Sequence, residues 1–200
     1  MATVTTIQAA APADFRQRLL GGLAASIEER GYQDTTVADI VRGAKTSRRT
    51  FYEHFSSKET CFAALITETD HEMIRRISAA VDPTAPWRTQ VRQAVETWLA
   101  CADAEPAITR SWIRDVPALG ALGRDLQRDL MESFVTMVQT LTDAEGLRAM
   151  GIHRVPRPMA IVLLGGLREL MASTVEAGGK ITDVAETAVR AAIALLGPTA

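Results

Sequence analysis

The chain has 200 residues, 47% of them hydrophobic, and a formal net charge of −2, which suits one domain or a small domain fused to a larger one with a buried core. No run of 18 or more apolar residues occurs, and the start MATVTTIQAAAPA lacks the basic and apolar parts of a signal peptide, so neither a membrane-spanning helix nor a secretory leader is expected. Cys61 and Cys101 are the two cysteines, too few for a disulfide framework, and a reducing cytoplasm is the expected home.

Residues 1–11 read as a flexible tail. A first helix is expected over Pro12–Arg30, where Phe15, Leu19, Leu23 and Ile27 recur every four residues and Gly31 supplies the stop. Thr36-x-x-Asp39 is a capping-box-like start for a second helix carrying Val37, Ile40, Val41 and Ala44 at helical spacing. Lys45-Thr46 interrupts that pattern. Ser47 is a good N-cap for a third helix, Arg48 to His54, whose Phe51 and Phe55 share one face. Arg48, Arg49, Thr50 and Tyr52 are left facing outward. A short helix held by its back against another is the geometry of a helix-turn-helix.

Ser56-x-x-Glu59 reads as a capping box opening a fourth helix to about Ala80, through Phe62, Leu65, Ile66, Thr69, Met73 and Ile77. Asp82-Pro83 and Pro86 break the chain. Further helices are expected over Trp87–Ala104, from Glu105-Pro106 to near Val116-Pro117, and over Ala118–Thr142. Residues 143–158 read as a loop or a frayed extension. Two helices close the chain, Arg157–Ala177 and Thr182–Leu196, parted by Gly178-Gly179. The fold class is therefore all-α, about nine helices: a small N-terminal helix-turn-helix domain over 1–60 and a larger helical domain over 61–200. The boundary falls inside the fourth helix, which would act as a rigid lever between them.

Charge follows the same division. Residues 42–58 carry Arg42, Lys45, Arg48, Arg49 and Lys58 against Glu53 alone, a net of +4, whereas residues 61–200 hold 14 basic and 17 acidic residues. A concentrated basic patch on an acidic body fits a protein that presents one face to DNA. The run 159–171, MAIVLLGGLRELM, is apolar almost all round. Such a helix needs burial on two sides, either in the centre of a monomer core or between its own body and a second copy. The alanines of 184–196 allow close helix approach, and Gly165-Gly166 in mid-helix costs roughly 1 kcal/mol per residue relative to Ala, which close helix contact would offset.

The segment 35–59, TTVADIVRGAKTSRRTFYEHFSSKE, resembles the DNA-binding region of the tetracycline-repressor (TetR) family of bacterial transcription regulators. Thr36, Ile40, Ala44, Ser47, Thr50, Phe51, Tyr52, Phe55 and Lys58 carry the likeness, strongest in Thr50–Glu59. The family usually has Gly at the corner where this chain has Lys45. A left-handed conformation there costs Lys roughly 1 kcal/mol more than Gly.

The resemblance implies a homodimeric regulator, most often a repressor, released from a palindromic operator by a small effector. Candidate DNA contacts are Thr36, Lys45, Ser47, Arg48, Arg49, Thr50, Tyr52, His54 and Lys58. Arg48 and Arg49 suit guanine edges, and Tyr52 and His54 stand where the family contacts phosphate. Tyr52 fits a packing role as well, and His54 a cap on its helix. Candidate effector-pocket residues are Trp98, Cys101, Arg110, Trp112, Met131, Phe134 and Met137, with Arg114 sharing the face of Arg110. Plain core packing fits the large ones equally. The dimer is expected through Leu163, Leu167, Met171, Val184, Ala188, Ala192 and Leu195. The rival reading is a DNA-binding dimer with no effector that acts through a protein partner. No metal, cofactor, membrane partner or catalysis is expected: His54, His71 and His153 lack ligand-spaced neighbours, and no phosphate loop, nucleophile elbow or HExxH motif is present.

Overall fold

The computed structural model describes residues 12–197, so the expected tail over 1–11 lies outside the described residues. Ten α-helices and no strand form among them: α1 Pro12–Arg30, α2 Val37–Gly43, α3 Arg48–His54, α4 Lys58–Ala80, α5 Trp87–Ala104, α6 Pro106–Arg114, α7 Ala121–Thr142, α8 Glu145–Ala149, α9 Arg157–Glu176 and α10 Ala185–Leu196. The chain divides into two compact units between Leu65 and Ile66, inside α4.

In the first unit α1 buries Leu19, Leu20, Leu23 and Ile27. It ends at Gly31, whose φ of 80° only glycine adopts without strain. α2 crosses α1 so closely that a Cβ on Gly22 would sit 2.5 Å from the Ile40 carbonyl oxygen and 2.9 Å from the Ala44 nitrogen. The backbones can meet there only because no side chain stands between them. α3 lies on this pair through Phe51 and Phe55, both buried. α4 opens with a reciprocal cap one residue later than the sequence suggests. Thr60 N–H donates to Ser57 Oγ at 3.2 Å and Ser57 N–H to Thr60 Oγ1 at 3.1 Å, so Ser57 and Thr60 take the parts expected of Ser56 and Glu59.

In the second unit α10 packs on α5 and α9 on α7, around a core that includes Ile77, Val95, Leu99, Val135, Val138, Leu163, Leu167 and Val189. α7 begins at Ala121 and not at Ala118 because Val116–Leu119 wind into a 3₁₀ turn, and Gly120 then takes a φ of 64°. The loop over 143–158 contains α8, and a second 3₁₀ turn, Ile181–Val184, precedes α10.

The last two helices correct the expected dimer face. Leu163, Leu167, Met171, Ala188 and Ala192 are buried in the unit's own core, and Val184 and Leu195 are half-buried against it. The sequence reading chose the more hydrophobic stripe, and that stripe faces inward. What α9 turns outward is Met159, Val162 at 59% exposure, Gly166, Glu169 and Ser173, while α10 exposes Ala191 and Ala194. The close contact expected at Gly165-Gly166 is absent within the described chain: a Cβ on either would meet nothing within 4 Å. By length and composition alone α9 could cross a membrane. Its buried stripe packs into this core, however, and Arg168 and Glu169 interrupt the apolar run of the helix.

Candidate nucleic-acid interface and internal cavity

The corner between α2 and α3 is a Schellman turn. Thr46 N–H reaches back to the Val41 carbonyl at 2.9 Å and Lys45 N–H to that of Arg42 at 3.2 Å. Lys45 holds the left-handed position with φ 51°, the one non-glycine residue at positive φ among those described. Arg18 of α1 secures it, donating from Nη2 to the Ala44 carbonyl at 2.6 Å and the Lys45 carbonyl at 2.7 Å. The sequence reading missed Arg18; its signal, an arginine beside Leu19 on the inward side of α1, does not point to a carbonyl 26 residues away.

Thr36 caps α2 in a full capping box. Its N–H donates to Asp39 Oδ2 at 3.0 Å, its hydroxyl to the same oxygen at 2.5 Å, and Asp39 N–H returns a bond to its Oγ1. The Thr36 hydroxyl and amide, with help from the Arg42 guanidinium, hold the Asp39 carboxyl at about 2. A carboxyl lowered in this way adds stability above its ordinary range near 4, and the contribution is lost as pH falls through about 2. Ser47 caps α3 by accepting from Thr50 N–H at 3.1 Å, with the two hydroxyls 3.0 Å apart.

Five cations were expected on this face, and three are engaged by the unit itself. Arg42 pairs with Asp39. Arg49 pairs with Glu53 at 3.0 Å, both exposed; such a pair contributes only a few tenths of a kcal/mol and exchanges readily for a phosphate or base. Lys58 is a correction. Its ammonium donates to the carbonyls of Tyr32, Thr35 and Gln33 at 3.0, 2.9 and 3.4 Å and lies 4.3 Å from the Tyr32 ring centroid. An ammonium with three donors given to three carbonyls ties the α1–α2 loop to the start of α4 and has little left for a phosphate. Lys45 and Arg48 are exposed and make no ion pair among the described residues. Tyr52 is 59% exposed and meets Phe51 edge-on; His54 is half-buried at the end of α3.

The second unit holds a partly open cavity of about 220 Å³ and, sharing part of its wall, a smaller one of about 70 Å³. Trp98, Trp112, Met131, Phe134 and Met137 line the larger. Cys101 lines the smaller, whose wall also includes Trp98, Trp112 and Phe134. Arg110 and Arg114 are corrections: both are exposed on α6 and line neither, because the buried face of this short helix is Ile108, Thr109, Ser111 and Ile113. The basic residue at the larger cavity is Arg168, its Cζ 4.9 Å from the Trp112 ring centroid. Asp70 lines both cavities. The sequence signal for Asp70 was available, since it stands on the apolar stripe Ile66, Met73, Ile77 of α4.

A capped short helix with a basic front, backed by two aromatics and joined through a tight turn to the helix behind it, defines a helix-turn-helix protein with an all-helical second unit. The family model described as bacterial regulatory proteins, tetR family, matches residues 19–65, so this stretch, which lies within the first unit, is similar to that family. The chain is 31% identical over 125 residues to the uncharacterized HTH-type transcriptional regulator YdgC of Bacillus subtilis, covering 60% of this chain and 64% of that one. It spans about half the length of several other curated relatives it matches. Among solved structures it is similar to a protein from Syntrophomonas wolfei assigned to the TetR-family transcriptional regulators, with a TM-score of 0.75 at 16% identity over 94% of this chain and 97% of that one. It is also similar to the transcriptional regulator FadR of Bacillus subtilis in complex with stearoyl-CoA, with a TM-score of 0.74 at 14% identity over 92% and 99%. Identities this low speak for the fold alone.

Proposed function

We propose that the protein is a cytoplasmic, homodimeric, sequence-specific transcriptional regulator, a repressor released from a palindromic operator by a small molecule. One observation carries the reading: α3, capped by Ser47 and backed by Phe51 and Phe55, leaves Arg48, Arg49 and Tyr52 exposed. The N-terminal half of such a helix meets base edges in the major groove. Arg48 is the base reader, since nothing within the described chain engages it. Arg49 exchanges Glu53 for DNA, Lys45, Tyr52 and His54 meet phosphates, and the N-termini at Thr36 and Ser47 offer free N–H groups to the backbone.

The dimer forms through the outward face of α9. Met159 and Val162 are exposed apolar side chains beside Gly166, where close approach costs no side chain, and isologous twofold packing suits such a patch. The effector reading is favoured over the effector-free rival by the cavity of about 220 Å³. The likeness to FadR, solved with stearoyl-CoA, supports small-molecule uptake by bodies of this fold. α4 carries the coupling: it begins at Lys58, among the α1–α2 loop contacts, and bears Asp70 and Ile77 at the cavity wall. An effector shifts operator affinity by favouring a dimer whose recognition helices no longer match the roughly 34–36 Å of one DNA turn.

The test is release. Protein bound to a duplex selected from a randomised pool is titrated with compounds that bind the cavity, and affinity should fall by about 5–150-fold. Operator affinity unchanged by any cavity-binding compound would favour the effector-free dimer.

A further inference from the structure

Asp70 stands where the stripe of α4 calls for Leu or Met. The residue is 7% exposed, its Oδ2 has no hydrogen-bond partner, and it forms part of the wall of both cavities. Burying a carboxyl without a partner lowers stability, and nothing inside the described chain compensates. Around it stand Trp98, Trp112, Leu130 and Phe134, which line both cavities with it. The other charged groups in the walls are Glu105 at the smaller cavity and Arg168 at the larger. No ion pair joins Arg168 to Asp70; its guanidinium lies over Trp112.

We infer that the cavity's ligand is a lipophilic amine, bound as its ammonium, with an N–H donated to Asp70 Oδ2 and its apolar body against Trp98, Trp112 and Phe134. The inference deepens the effector reading and rests on it for its regulatory consequence. Three properties of the site agree on this chemistry. The lining is mostly apolar, so the ligand is mostly apolar. An unpartnered carboxylate gains most from a charged donor, and charge-assisted hydrogen bonds are about twice as strong as neutral ones. Indole faces attract an ammonium through the ring quadrupole. Burial alone pushes the Asp70 carboxyl up to about 7, so near neutral pH an incoming ammonium finds a group that ionises at small cost. An anionic ligand would meet two carboxyls, Asp70 and Glu105, with Arg168 as its one attraction.

The test uses three probes of equal chain length and different head group: decylamine, decanol and decanoate, each below its micellar concentration. Binding to the full-length protein is read by tryptophan fluorescence and by the thermal midpoint, and operator release is measured in parallel. Decylamine should bind about 10–100-fold more tightly than decanol or decanoate. Asp70→Asn should erase that preference while still binding decanol. Asp70→Leu, which fills the stripe with an apolar side chain, provides a second folded variant with the same expectation. Equal binding of all three probes, binding of none, or a decanoate preference lost in Arg168→Gln would each overturn the inference. Decylamine held by Asp70 without operator release would leave the inference standing and sink the effector reading. Release by decanoate alone would do the reverse.

Discussion

Arg48 and Lys58 look alike in sequence, two cations in one basic segment, yet their surroundings give them different work. Arg48 is exposed and unengaged among the described residues, whereas Lys58 closes a loop on three carbonyls. Arg48→Ala should therefore cost roughly 1–3 kcal/mol at one base pair of the operator and little on random DNA. Lys58→Met should lower the stability of the first unit by roughly 1–3 kcal/mol and leave the salt dependence of DNA binding nearly unchanged. Chemical denaturation and fluorescence anisotropy on matched and random duplexes separate the two. Asp70 gives a prediction about pH. Its carboxyl is raised from the ordinary value near 4 to about 7 in the folded chain. The folded state thus holds a proton that the unfolded state has lost, and stability contributed by this group falls as pH rises between about 4 and 7. Asp70→Asn should flatten that decline and stabilise the protein at pH 8 by up to a few kcal/mol. Thermal midpoints that decline equally with pH in both proteins would contradict the assignment.

Where a helix begins and ends was largely legible, because the ends are set by local chemistry. Pro12, Gly31, the Thr36–Asp39 box and the Ser47 cap fix α1, α2 and α3 within a few residues of sequence. Lys45 was legible too: the corner demands a left-handed residue, and the chain supplies one at φ 51°. Which face of a helix looks inward was legible only where polar residues mark the other face. α9 is apolar nearly all round, so the sequence offered no contrast to separate core from surface, and the buried Leu167 was taken for an interface residue. The consequence is measurable. Val162→Glu should split the dimer in sedimentation and leave the fold intact, whereas Leu167→Glu should unfold the second unit, since a buried unpaired charge costs several kcal/mol. A Val162→Glu dimer of unchanged affinity would move the interface off this face. The α1–α2 crossing is similarly exacting. A Cβ on Gly22 would press on backbone atoms at 2.5 and 2.9 Å, so Gly22→Ala should destabilise the first unit by about 1–3 kcal/mol and weaken binding to all DNA.

For the whole molecule the sequence pointed to the proposed reader more directly than to the residues that line the cavity. The reader's chemistry is local, gathered within residues 36–58, and a familiar pattern could carry it. The cavity draws its walls from α4, α5, α6, α7, α8, α9 and α10, and no local spacing announces which side chains of seven helices will meet. Arg110 was chosen over Arg168 for that reason, and Asp70 was passed over although it interrupts its own stripe.

The central claim is that this chain reads DNA sequence through α3. Anisotropy of a palindromic duplex selected from a randomised pool, against a scrambled duplex of equal length, tests it most directly when the salt is varied from about 50 to about 200 mM. Selected DNA should bind roughly a thousandfold or more tightly than scrambled. Both affinities should fall linearly on logarithmic axes as salt rises, because phosphate contacts release counterions. Arg48→Ala should shrink the gap between the two duplexes. Equal affinity for both at every salt concentration would contradict the account and leave α3 as no more than a basic surface.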